Sequence, residues 1–124
     1  MEISVRSQWR SVGLETTLLV HGVPKESAPK LHDELGRIIR AHGADPTLIG
    51  VLNGQAIVGM TSAELSEMLQ QEDVAKANTA NLGLLLHRGA SGATTVSGTM
   101  ELAAMADVRV FATGGVGLIQ KEDR

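Results

Sequence analysis

The sequence predicts an α/β protein: a mixed sheet with helices packed on its faces. Short apolar and β-branched segments at 12–20, 47–52, 55–60 and 108–113 alternate with segments whose apolar residues recur at helical spacing. Asn53-Gly54, between two of the apolar segments, is a two-residue hairpin signal, so at least one strand pair is antiparallel. A chain of 124 residues has room for one domain, read here as 1–124.

Residues 1–11 are polar and mixed, a lead-in strand or a loose arm. Residues 12–20 (VGLETTLLV) read as a strand that closes at His21-Gly22-Val23-Pro24. Ser27 is a candidate N-cap, with Pro29 tolerated in the first turn. Leu31, Leu35, Ile38, Ile39 and His42 then repeat at helical spacing, and Gly43 stops the helix. Segments 47–52 and 55–60 are the two arms of the hairpin. Thr61 and Glu64 have capping-box spacing and open a helix through Leu65, Met68 and Leu69. After Val74-Ala75-Lys76, a helix is expected over 79–87, ending at Gly89. Gly92-Ala93-Thr94-Thr95 leads into another helix, with Val96, Met100, Ala103 and Ala104 on one face. Residues 108–113 form a strand, Gly114-Gly115-Val116-Gly117 a glycine-rich turn, and 120–124 a solvated tail. No internal repeat is present.

Composition excludes several functions. With no Cys, there is no disulfide framework, thiol nucleophile or zinc–thiolate site. A net charge of −3 and a pI near 5.7 give no electrostatic footprint for nucleic acid, and Trp9 and Phe111 alone make a poor base-stacking platform. Charges at Glu2, Arg6, Arg10 and Glu15 break any signal-peptide hydrophobic region, and no apolar run approaches the roughly 20 residues of a bilayer span. A soluble, cytoplasmic protein is expected.

In open α/β sheets ligands bind outside the C-terminal ends of strands. That rule places His21-Gly22, Lys76 and Thr113-Gly114-Gly115 on one rim. Glu15 interrupts an apolar strand. A carboxylate buried there has its pKa raised by desolvation, which suits a general acid near neutral pH; the competing reading is an alternating strand with Glu15 facing water. His21 sits in a turn, and His32, His42 and His87 have no second ligand at metal spacing. The glycine-rich turn fits neither the dinucleotide fingerprint nor the P-loop, though its amides suit one phosphate as a nest. Thr94 and Thr95 at a helix N-terminus offer a second anion site, or simply cap their helix. Lys76 supplies a countercharge, or is only solvated.

Glu15-Thr16-Thr17-Leu18-Leu19-Val20-His21-Gly22-Val23-Pro24 resembles the opening motif of the pseudouridine-5′-phosphate glycosidases, the group that includes indigoidine synthase A-like proteins. The likeness continues in order through Ala44 to Pro46, Ile49 to Gly54, Val58-Gly59-Met60-Thr61, Val74-Ala75-Lys76, Gly92-Ala93-Thr94-Thr95-Val96 and Val108 to Gly115. The resemblance implies the front half of that family's fold and reversible cleavage of a C–C glycosidic bond to uracil and ribose 5-phosphate, with a divalent metal, typically manganese. It makes Glu15 the proton donor and Lys76 and Val96 substrate contacts. Thr94, Thr95, Thr113, Gly114 and Gly115 join them as the candidate substrate-binding rim, and no residue is assigned to a metal.

The sequence departs from that pattern in three places. The family's Schiff-base lysine and metal-associated aspartate segments have no counterpart in these 124 residues. Gly117-Leu118-Ile119 stands where a histidine follows the glycine turn. Asn78-Thr79-Ala80-Asn81 replaces a basic stretch. Two expectations from different classes follow. One is an enzyme site for a phosphorylated sugar or nucleotide, completed by a complementary chain or a second copy. The other is a non-catalytic binding or oligomerisation module that keeps the fold and the rim.

Overall fold

The computed structural model describes residues 2–6 and 9–115. In chain order these form β1 (Ile3–Val5), β2 (Ser11–Glu15), α1 (Thr17–His21), α2 (Ala28–Ala41), β3 (Asp45–Leu52), β4 (Gln55–Val58), α3 (Ser62–Gln70), β5 (Ala75–Ala77), α4 (Leu82–His87), β6 (Gly92–Thr94), α5 (Val96–Met105) and β7 (Val110–Ala112). The expected α/β class and mixed sheet are both present.

β3 is the sheet's axis. It is buried continuously from Thr47 to Leu52, the pattern of a strand covered on both faces. Strand alternation sends its side chains into two cores. Leu48 and Leu52 join Leu14, Leu19, Ile57, Leu65 and Met68 beneath α1, α2 and α3. Ile49 and Val51 join Ala56, Val58, Leu82, Leu102 and Val108 beneath α4 and α5. With Trp9 and Phe111 as its two aromatics, neither in these cores, the chain builds the layers from Leu, Ile, Val, Met and Ala.

The Asn53-Gly54 hairpin forms as expected. Asn53 and Gly54 both adopt positive φ, and β4 returns antiparallel to β3, pairing Ile49 with Val58 and Leu52 with Gln55. The capping box also forms: the Glu64 amide donates to Thr61 Oγ1 and the Thr61 amide to Glu64 Oε1. The same Glu64 receives both arms of Arg6, at 2.7 and 3.0 Å, which ties the start of α3 to the strand at 3–5. That lead-in is a true strand, β1, parallel to β4. Ser27 is the N-cap residue of α2, although its hydroxyl makes no cap bond, and Gly43 follows the helix at positive φ.

Five of the expected elements are corrected. The strand expected over 12–20 ends at Glu15, and the rest of the run is helix α1. β2 pairs with β3 only up to Glu15 opposite Ile49; from Gly50 onward that edge of β3 is taken by β6. The chain must leave the sheet there, and the Thr16 carbonyl accepts the Leu19 and Val20 amides to open the helix. Gly92 to Thr94, expected as a helix lead-in, is that competing strand. The hairpin's second arm ends at Val58, because Gly59 turns to φ +101° and the Gly59 and Met60 amides both donate to the Leu48 carbonyl. The helix expected from 79 starts at Leu82, because Asn78 and Asn81 bond to each other's backbone amides and hold 78–81 as a turn. The strand at 108–113 is shorter, Val110–Ala112. Val116, Gly117 and the expected tail lie outside the described residues. No helix among the described residues is long and apolar enough to cross a membrane.

Candidate functional site

Because β2 is parallel to β3 and β6 is antiparallel to it, the two strands run toward each other along the same edge of β3. Each carries a parallel neighbour on its outer side, β7 beside β2 and β5 beside β6. Four strand C-termini therefore converge, and α1 and α5 both begin at the junction. The rule that ligands bind at strand C-termini applies here from two directions at once.

Glu15 ends β2, half-buried. The β2–β7 register pairs Leu14 with Ala112, which sets Thr113 beside Glu15. The Thr113 hydroxyl donates to Glu15 Oε1 at 2.9 Å, and the Gly115 amide reaches back to Thr113 Oγ1 at 3.4 Å. Glu15 borders a cavity of about 260 Å³ whose other walls include Leu14, Leu18, Leu19, Leu35 and Gly114. The carboxylate thus has one fixed oxygen, an apolar wall and an open side. Gly114 and Gly115 are exposed, with open space where a side chain would stand.

Across the junction, Lys76 lies in β5 with its side chain exposed. Among the described residues its ammonium has no hydrogen-bond or ion-pair partner. Its backbone, by contrast, is fixed: Asn81 Nδ2 donates to the Lys76 carbonyl at 2.8 Å. The Ala77 carbonyl receives the Thr95 amide at 2.9 Å and the Thr95 hydroxyl at 3.3 Å. That contact brings the start of α5 against the end of β5. It requires Gly98, because a Cβ there would stand 2.3 Å from the Ala77 oxygen. Val96, the first residue of α5, is half-buried at the same place.

Neither Thr94 nor Thr95 caps α5 through its side chain, so the simple capping reading is corrected. Thr95 spends its hydroxyl on Ala77. Thr94 is fully buried, its hydroxyl donating to the Ile49 carbonyl at 2.7 Å and its amide to Thr16 Oγ1 at 2.7 Å. It sits behind the rim rather than on it. His21 ends α1, exposed. Away from the junction, Arg6 holds Glu64 below the usual carboxylate range, and burial pushes His32 down from the usual histidine value. Among the described residues, no three His, Asp or Glu side chains converge. These residues therefore do not form a set that holds manganese, and no step below passes through a metal.

The convergence brings Glu15, Thr113, Gly114 and Gly115 to one bank and Lys76, Thr95 and Val96 to the other. Sequence reasoning missed Thr99 and Gly98 and gave no structural role to Thr16, Asn78 and Asn81, all of which build the banks. Of these, only the Asn-x-x-Asn spacing at 78–81 is a recognisable local signal.

A mixed sheet with opposed parallel pairs and helices starting at the junction defines an α/β protein whose converging strand ends carry Glu15, beside a cavity, and the exposed Lys76. The chain belongs to the indigoidine synthase A-like family, whose profile matches residues 3–124. It is 43% identical over 110 residues to the pseudouridine-5′-phosphate glycosidase of Nocardioides sp., covering 89% of this chain and 36% of that protein. It is 40% identical over 111 residues to the enzyme of the same name from Salinispora tropica, covering 90% and 34%. Among solved structures, an indigoidine synthase A-like protein from Thermotoga maritima superposes with a TM-score of 0.85 at 35% identity, over 91% of this chain and 39% of that one. The prealnumycin C-glycosynthase, solved in complex with ribulose 5-phosphate, superposes at 0.76 with 26% identity, over 94% and 40%. The chain spans just over a third of the length of the curated relatives it matches.

Proposed function

We propose that these residues form the acid-bearing and phosphosugar-recognising part of a C-glycosidase site whose substrate is pseudouridine 5′-phosphate. The observation that carries the reading is the junction itself. Within the family's opening motif, Glu15 stands with its carboxylate oriented by Thr113 at the end of one strand pair, and the opposed pair carries Lys76, whose ammonium has no partner among the described residues. A solved relative that holds ribulose 5-phosphate supports a phosphorylated sugar as the ligand class.

In the proposed reaction, water adds across the C–C glycosidic bond. The bond's electron pair departs with the base carbon, Glu15 delivers the proton that carbon takes up, and the sugar carbon gains the hydroxyl. The proton donor must be held at a fixed angle to the breaking bond. Thr113 supplies that restraint on one carboxylate oxygen, and no other hydrogen bond among the described residues reaches the carboxylate. Lys76, with the backbone at Thr95, Val96, Gly114 and Gly115, takes the phosphate and ribose oxygens. The lysine nucleophile that the family resemblance calls for has no counterpart among these residues. Turnover therefore draws on groups outside them, from a complementary chain or a further segment.

Calorimetric titration with ribose 5-phosphate tests the reading. One charge-assisted hydrogen bond contributes on the order of 1.5–3 kcal/mol, so Lys76→Ala is expected to weaken binding by roughly 10- to 100-fold. Glu15→Gln should leave that affinity nearly unchanged and abolish turnover reconstituted with the complementary portion of a family enzyme. Equal affinity in wild type and Lys76→Ala removes the phosphate assignment, and full reconstituted turnover in Glu15→Gln removes the acid.

A further inference from the structure

β2 and β6 meet end to end on one edge of β3, which leaves the Ile49 carbonyl in mid-sheet at the break in its ladder. A buried carbonyl must find donors. Here it finds two, the hydroxyls of Thr16 at 3.0 Å and Thr94 at 2.7 Å. The remaining protons are each used once. The Thr94 amide donates to Thr16 Oγ1 at 2.7 Å, and the Thr99 hydroxyl, from the first turns of α5, donates to Thr94 Oγ1 at 2.8 Å. Thr16, Thr94 and Thr99 are all fully buried. Room for the Thr16 side chain comes from Gly50, where a Cβ would stand 3.1 Å from Thr16 Oγ1.

We infer that Thr16 is a positioning residue: through Thr94 and Thr99, its hydroxyl splices the opposed strand pairs into one rigid unit and thereby fixes the two banks of the junction relative to each other. The function served rests on the phosphosugar reading above; the splice itself rests on the hydrogen bonds alone. Glu15 is the residue before Thr16, and Thr95 and Val96 are the residues after Thr94. The splice is thus one residue removed from both banks. A hydroxyl is needed at positions 16 and 94 because each both donates to the Ile49 carbonyl and accepts from a neighbour. Valine has the shape of threonine but neither capacity.

The test compares Thr16→Val with Thr16→Ser by amide hydrogen exchange and by titration with ribose 5-phosphate, at a temperature where each variant remains folded. The Thr95 amide donates to the Ala77 carbonyl rather than to Thr16, so it reports on the far bank. Thr16→Val is expected to speed its exchange by about tenfold or more and to weaken ribose 5-phosphate binding by a comparable factor, while amides of the β1–β4 ladder keep their protection. Thr16→Ser is expected to restore both. Unchanged Thr95 protection in folded Thr16→Val overturns the inference, as does a Thr16→Ser variant that behaves like valine. A wild-type protein that does not bind ribose 5-phosphate removes the phosphosugar reading, while the exchange measurement still decides the splice. Should Thr16→Val not fold, Thr99→Val loosens the same network from α5 and is read by the same amide.

Discussion

Glycine-to-alanine substitution has opposite expected signs at two helical positions of this protein. In α5, an alanine Cβ at position 98 would stand 2.3 Å from the Ala77 carbonyl oxygen and 3.1 Å from its carbon. To bring the first contact even to 3.0 Å, helix and strand must separate by 3.0 − 2.3 = 0.7 Å, and the obstacle is backbone, which cannot rotate away. The separation strains the Thr95-to-Ala77 hydrogen bond, 2.9 Å in the native fold. Overpacking of this kind costs about 1–3 kcal/mol, and the loss of a hydrogen bond adds about 1 kcal/mol. Alanine returns roughly 1 kcal/mol through its better helix propensity, leaving a net loss of about 1–3 kcal/mol. At position 83 in α4, no atom stands within 4 Å of an added Cβ. Gly83→Ala therefore keeps only the propensity gain, up to about 1 kcal/mol. Urea denaturation of both variants measures the pair. Gly98→Ala as stable as wild type would refute the close docking of α5 on the end of β5, and with it the geometry of that bank.

Acidification should destabilise the fold in two stages. Burial lowers the folded pKa of His32 from its usual value near 6.5, so its contribution is present above that value and is lost as pH falls below it, when the unfolded chain takes up the proton first. Glu64, held down by Arg6, loses its contribution at lower pH, below the usual carboxylate value of 4.5. Stability measured by urea at pH 7.5, 5.5 and 3.5 should fall at each step, and His32→Gln should flatten the upper step alone. Arg6→Ala removes a bidentate but half-exposed pair and should cost about 1 kcal/mol or less at neutral pH, the loss vanishing once Glu64 is protonated. Leu102→Ala, in the fully buried centre of the α5 face, should cost roughly 2–5 kcal/mol, against no more than about 0.5 kcal/mol for the exposed Met100→Ala in the same helix, by thermal denaturation.

Local chemistry explains which parts of this fold were legible. Asn53-Gly54 and the Thr61–Glu64 capping box are encoded within four residues and form as expected. Strand β3 was legible because burial on both faces leaves an unbroken apolar run. The segment at 12–20 was not, because nothing within it says where β2 must stop. That limit is set by β6, almost 80 residues away, which claims the next stretch of the same edge. For the same reason Gly92 to Thr94 passed for a helix lead-in: three residues carry no period, and strand status comes from pairing with both β3 and β5. Of the candidate site, Lys76 and Thr113 were legible as chemistry at strand ends, and Glu15 as a carboxylate within an apolar run, though not as the end of its strand. That Thr113 orients Glu15, and that Thr94 lies behind the rim rather than on it, depends on register and burial, which no spacing rule contains.

The measurement that bears most directly on the proposed ligand site at the converging strand ends is residue-resolved NMR of the protein titrated with ribose 5-phosphate. The predicted result is a set of amide shifts confined to Glu15, Lys76, Thr95, Val96, Thr113, Gly114 and Gly115, spanning both banks and titrating with one affinity. Shifts confined to the cavity at the opposite strand ends, lined by Trp9, Arg10, Arg109 and Val110, or no shift at millimolar ligand, would contradict it.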